Sequence, residues 1–148
     1  MNRERKIELA KRHLSLIREN QIRIRQLRIE RSELKLEYSG ISGIDYAGDR
    51  IQTTPENGME ISGWRLLEQL KRIDKRINTL SDERYKRIDE IQKLTDANMS
   101  IVLQLYYVQE MGHRRIGEYL NYSERHVQRI FAAAHERFYD LFLKKDVV

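Results

Sequence analysis

Cysteine is absent from the 148 residues, and proline occurs once, at Pro55. The first absence excludes disulfides, cysteine-based zinc sites and thiol catalysis. The second removes the residue that most readily interrupts a helix. Long apolar runs are missing as well. No window reaches the length of a membrane span, and the N-terminal MNRERKIELAKRH has no apolar core of signal-peptide length. These absences together read as a cytoplasmic protein with no membrane association. Catalytic signatures are just as scarce. His13, His113, His126 and His135 include no pair three or four apart, so no helix face gathers two of them around a metal. No Ser/His/Asp signature, glycine-rich phosphate loop or acidic pair stands out. The expectation is a protein that is not an enzyme, with no metal and no cofactor. Its histidines are read as solvated or facing a groove.

What is present is charge. Charged residues make up 34% of the chain and hydrophobic ones 40%, a balance that suits a helical, strongly solvated protein. The net charge of +5 and the isoelectric point near 9.5 permit nucleic acid as a partner without demanding it. The charge is unevenly spread. Residues 1–37 carry 11 Lys and Arg against 6 Asp and Glu, whereas residues 95–148 carry 7 of each.

Periodicity divides the chain further. Ile7, Ala10, Leu14, Ile17, Ile24, Leu27, Leu34 and Tyr38 recur at three, four or seven residues, which predicts a long amphipathic helix from Asn2 to Tyr38. Ile22, Ile29 and Leu36 lie off that seam and offer a second contact face. The surplus Lys and Arg are read either as a solvated face or as a contact to a DNA backbone. Residues 39–62, rich in Gly, Ser, Thr and Asp, read as a polar loop in which DRIQTTP suits a short extended stretch. A second long helix starts near Ser62, a suitable N-cap. Its seam runs Leu66, Leu70, Ile73, Ile77 and Leu80, then Ile88, Ile91 and Leu94, with Trp64 as a buried anchor. Two such helices predict a helical hairpin over residues 1–94 or a coiled-coil oligomer.

Residues 95–148 form the remaining piece. Thr95 or Asp96 caps a helix that buries Met99, Val102, Leu103, Tyr106 and Tyr107, and Gly112 is placed to end it. Then comes MGHRRIGEYLNYSERHVQRIFAAAHERF, Met111–Phe138. A short helix beginning at His113 turns Ile116 and Leu120 inward. Gly117, without a side chain, lets a second helix approach closely. Asn121 tolerates the left-handed backbone of a tight turn. Ser123 caps the next helix, whose Val127 and Ile130 face back onto Ile116 and Leu120, with Ala133 and Ala134 continuing that side. Phe131, Phe138, Tyr139, Leu141 and Phe142 extend this last helix with apolar surface, for the core or for a partner.

This spacing resembles the helix-turn-helix of DNA-binding proteins. In that motif the second helix lies in the major groove with its N-terminal residues on base edges. The resemblance assigns Ser123, Glu124, Arg125, His126, Gln128 and Arg129 to the reading face. Arg suits guanine, Gln suits adenine, and Glu accepts from cytosine. Arg114 and Arg115 are placed to meet phosphates. From Ser100 to Phe138, with VLQLYYVQEMG leading in, the chain also resembles region 4 of sigma factors. It departs from that pattern at RRIGEYL, where Glu-Ile-Ala is usual, and at Asn121, where Gly is usual. The whole layout resembles the late-gene transcriptional activators of phages from Gram-positive bacteria, the RinA and ArpU type. GIDYAGDRIQTTP is similar to a Tyr-Asp-x-x-x-Val-Gln-Thr/Ser-Ser/Thr-Pro signature of related phage proteins.

The resulting expectation is an all-α protein: a helical hairpin over 1–94 with a polar loop at 39–62, then a sigma-like helix-turn-helix domain over 95–148. Its function would be sequence-specific binding of double-stranded DNA in transcription regulation. The family resemblance admits host RNA polymerase as a further partner, and the long helices admit a homodimer. Two other readings compete: a small terminase subunit that binds DNA for packaging, and a helical protein–protein adaptor with no DNA role.

Overall fold

Sparse helix breakers leave long helices as the cheapest way to satisfy the backbone. A computed structural model describes residues 1–42 and 58–144 of the chain, with side chains for 1–37 and 63–144. Helix α1 is Arg3–Ser42 and α2 is Gly58–Gln92. Three shorter helices follow: α3 (Ala97–Tyr107), α4 (His113–Leu120) and α5 (Glu124–Phe138). Tyr139–Leu143 continues α5 as a wider π turn, in which the Lys144 N–H donates to the Tyr139 carbonyl. The described residues are all helix, turn or connection, without strands.

The helices intrude on the expected polar loop from both ends. Helix α1 runs to Ser42 and α2 begins at Gly58, so Ser62 lies inside α2 and does not cap it. A Gly within a helix costs roughly 1 kcal/mol, and its presence lowers helix stability without forbidding the helix. DRIQTTP and the whole of the phage-like signature, residues 43–55, fall outside the described residues.

The chain forms two compact units, Met1–Asn20 with Glu83–Val148, and Gln21–Asp82. The division between these units passes through both long helices. The reason is packing. Ala10, Leu14 and Ile17 of α1, Ile91 of α2 and Leu94 are buried in the same core as Val102, Ile116, Val127 and Phe138. Apolar area removed from water stabilises at about 25 cal/mol per Å², so the first turns of α1 and the last of α2 fold with the C-terminal helices.

In the unit of Gln21–Asp82, Ile24, Leu66, Ile73 and Leu80 are buried. Arg31 reaches Asp74 with two donors, Nε at 2.5 Å and Nη2 at 3.3 Å. Trp64 is 40% exposed and is no buried anchor. Two residues before Leu66 on a helix means about 200° of rotation, which turns Trp64 away from the seam.

In the other unit, Asp96 caps α3 by accepting the Met99 N–H at 3.1 Å. Helix α3 ends at Tyr107, earlier than expected, and Gly112 is the N-cap of α4. Glu110 takes the left-handed backbone at φ 59°, while the Met111 N–H returns to the Leu105 carbonyl at 3.0 Å. The backbone reversal expected of Gly112 is thus made at Glu110. Salt bridges tie α1 to the end of α5: Arg3–Glu136 at 2.6 Å and Lys6–Asp140 at 2.9 Å. His13 meets Glu90 of α2 at 2.9 Å.

His135 departs furthest from the solvated reading of the histidines. His135 is fully buried on α5 between Tyr107 and the Phe131 carbonyl. That carbonyl can only accept, so Nδ1–H donates to it at 2.5 Å. Nε2 is left to accept the Tyr107 hydroxyl at 2.6 Å. Burial pushes His135 down to about 4 and pushes the Tyr107 hydroxyl up. The neutral pair joins α3 to α5 with both polar groups satisfied.

Candidate nucleic-acid interface

Helices α4 and α5 meet at a corner built by three residues. Asn121 ends α4 in the left-handed region, φ 60° and ψ 41°. That conformation folds the chain back so that the Tyr122 N–H donates to the Gly117 carbonyl at 2.8 Å. Ser123 then opens α5, its hydroxyl accepting the His126 N–H at 3.1 Å. Ile116 and Val127 are fully buried on either side of the corner, with Leu120 and Ile130 packed against the same core.

Gly117 makes the corner possible, by a different contact from the one expected. A Cβ there would lie 2.6 Å from the Tyr122 carbonyl oxygen. The close approach is to the turn itself, and the only side chain that fits is hydrogen.

The expected reading residues are all exposed, yet they divide into groups. At about 100° per residue, Arg125, Gln128 and Arg129 share one face of α5. Glu124 and His126 fall about 100° to either side of Arg125. The charge of Glu124 is felt by His113 at the start of α4. His126 packs edge-on to Tyr122, ring centroids 4.7 Å apart. It also lines an open groove of about 320 Å³ with Arg129, Ile130, Ala133 and the start of α3. Ser123 is committed to its cap. Arg114 and Arg115 stand exposed on the first turn of α4. Arg114 Nε lies 3.5 Å from Glu118, a fully solvated pair of little energetic weight. Gly112 supplies no side-chain acceptor to the first N–H groups of α4.

The corner therefore presents cations and an amide on one exposed face. No family model, curated protein or solved structure matches this chain. The residues themselves carry the reading.

Two cations escaped the sequence reading, Lys11 and Arg18 of α1. His113, at the start of α4, packs against Phe131 at 4.6 Å and Tyr106 at 5.3 Å between ring centroids. The Arg18 guanidinium lies 4.2 Å from the Tyr106 ring centroid and donates to the Tyr106 carbonyl. Lys11 Nζ lies 5.6 Å from the Phe131 centroid. Burial pushes His113 below its ordinary value, and Lys11 adds to that while Glu124 opposes it. Lys11 and Arg18 lie about 100 residues from α4 in sequence, so spacing alone could not join them. The available signal was their seven-residue repeat beside the Ala10–Leu14–Ile17 seam. Other cations of α1 are spent on ion pairs, Arg5 and Arg12 on Glu8 and Lys6 on Asp140. Among the described residues, no cluster of three or more His, Asp or Glu could hold a metal, and no helix is long and apolar enough to cross a membrane.

Proposed function

We propose that the protein is a sequence-specific DNA-binding transcriptional regulator, with α4 and α5 as a sigma-like helix-turn-helix and α5 in the major groove. The observation that carries the reading is the face of Arg125, Gln128 and Arg129, exposed on the first two turns of a helix held by a buried corner. Those three side chains are long enough to reach base edges and carry the donors that guanine and adenine accept. Arg114, Arg115 and Lys11 supply cations beside them for phosphates. On this reading the long helices form a hairpin, supported in the unit of Gln21–Asp82 by the Arg31–Asp74 pair between α1 and α2. A phage or prophage origin of the RinA and ArpU type, and a contact with host RNA polymerase, belong to the same proposal through the sequence resemblance.

The test starts with DNA selected by the protein from a random pool. Arg125→Ala and Gln128→Ala should each weaken binding to the selected site by roughly 1–3 kcal/mol and leave binding to unrelated DNA nearly unchanged. Arg114→Ala should weaken both DNAs by similar factors, because phosphates are the same in each. Equal losses on both DNAs for Arg125→Ala and Gln128→Ala would remove direct base reading. Absence of any binding at low salt, where phosphate contacts are strongest, would remove the DNA reading altogether.

A further inference from the structure

Within Gln21–Asp82, helix α1 has two apolar faces and one of them is in use. Ile24 is buried, Leu27 and Leu34 are half-buried, and Arg31 on the same side bonds Asp74 of α2. Ile22, Ile29 and Leu36 lie about 120–160° round from Ile24, at 100° per residue. They are 52%, 60% and 69% exposed. Isolated surface apolar residues are ordinary, but these three recur every seven residues in one stripe. A seven-residue repeat drifts by about 20° per heptad on a straight helix and stays in line only where two helices coil around each other.

The flanks of the stripe carry opposite charge. On one side stand Arg28 and Lys35, and on the other Gln26, Glu30, Glu33 and Glu37. Arg28 and Glu33 are exposed, and neither forms an ion pair among the described residues. We infer that this stripe is a self-association surface, on which a second copy of the chain packs its own α1 in parallel and in register. The polarity of the flanks decides the direction. About a two-fold axis parallel to the helices, the basic flank of each copy faces the acidic flank of the other. Arg28 then meets Glu33 of the second copy, five residues further along, the spacing of flanking pairs in a parallel coil. In the antiparallel arrangement like flanks would meet, and like charges repel.

Arg25 and Ser32 occupy the alternate seam positions. Their polarity removes one apolar residue from each heptad, so the dimer should be weak, with micromolar dissociation, and Arg25 extends its head outward from the seam. The inference goes beyond the DNA reading and does not depend on it, because mass and crosslinking are read without DNA.

The natural absence of cysteine gives the test a clean background. Ile22→Cys, Ile29→Cys and Leu36→Cys, made singly in the full chain, should each crosslink to their own copies under mild oxidation. Sedimentation equilibrium of the unaltered chain should give twice the monomer mass at micromolar concentration. Ile29→Lys should raise the dissociation constant roughly tenfold or more, with its helical circular dichroism unchanged since the side chain is exposed. Arg28→Glu should weaken the dimer, and adding Glu33→Arg should restore it. A monomer, an assembly of more than two copies, a dimer indifferent to Ile29→Lys, or crosslinking at Ile29→Cys alone would each overturn the proposal.

Discussion

Gly117→Val should destabilise the unit containing α3, α4 and α5 by about 3 kcal/mol, the upper part of the usual range for an overpacked site, and remove specific DNA binding. The obstruction is a backbone atom. A Cβ at position 117 would stand 2.6 Å from the Tyr122 carbonyl oxygen and 3.6 Å from the Glu124 nitrogen. No rotamer change can clear a backbone contact, so the turn itself must move. Moving it breaks the Tyr122 N–H bond to Gly117 and shifts Ser123, which caps α5. Valine also has branched methyls that must find room beside the same turn. Alanine at 117 meets the same first contact but recovers roughly 1 kcal/mol of helix propensity, so Gly117→Ala should cost about half as much. Gly112 is the control. Nothing lies within 4 Å of a Cβ built there, and Gly112→Ala should change stability by under about 1 kcal/mol. Urea unfolding of the three variants measures the order. If Gly117→Val is as stable as Gly112→Ala, the corner is not held by this contact.

Acid should destabilise the folded protein between pH 6.5 and about 4 through His135. Its ordinary value is 6.5, and in the fold burial holds it near 4. As the pH falls, the unfolded chain therefore takes up the proton first. Stability from the neutral ring is fully present above pH 6.5 and is lost progressively as pH falls through about 4, for a total of roughly 3 kcal/mol. A protonated ring would need a second acceptor. Nε2 faces the Tyr107 hydroxyl, so protonation forces that hydroxyl to turn its own proton away and give up the bond it donates to the neutral ring. Burial displaces His113 in the same direction, so it adds to the loss of stability below pH 6.5. The measurement is the difference in unfolding free energy between the natural chain and His135→Gln across pH. Gln should be the less stable at pH 7, because its amide cannot match both partners of the ring. The difference should shrink as pH falls to 4, since Gln does not titrate. Parallel curves would show that folding leaves the proton affinity of His135 unchanged, as for a ring open to solvent.

Much of the α4–α5 corner was legible in the residues because its causes are local. Asn121 adopts a left-handed backbone, Ser123 caps, and His113 starts a helix, each through bonds spanning five residues or fewer. Periodicity likewise located the buried seam at Ala10, Leu14, Ile17 and Ile24, because it reflects which side of a helix meets an apolar neighbour. The errors fell where the cause was distant or shared. Trp64 and His135 were judged by residue type, but their environments depend on which other elements cover them. Glu110 took the left-handed backbone that Gly112 was expected to supply, since chain reversal after α3 is decided by where α4 must pack.

By itself, then, the sequence determined the helical class, the seams, the corner at Asn121–Ser123 and the polar character of the first turns of α5. These follow from propensity and from bonds between near neighbours. Only the tertiary structure decided that the ends of both long helices share a core with α3, α4 and α5. It alone set the buried pair of Tyr107 and His135, brought Lys11 and Arg18 beside the start of α4, and left the Ile22–Ile29–Leu36 stripe exposed. Each of these depends on surfaces far apart in the chain, and burial belongs to the assembled fold.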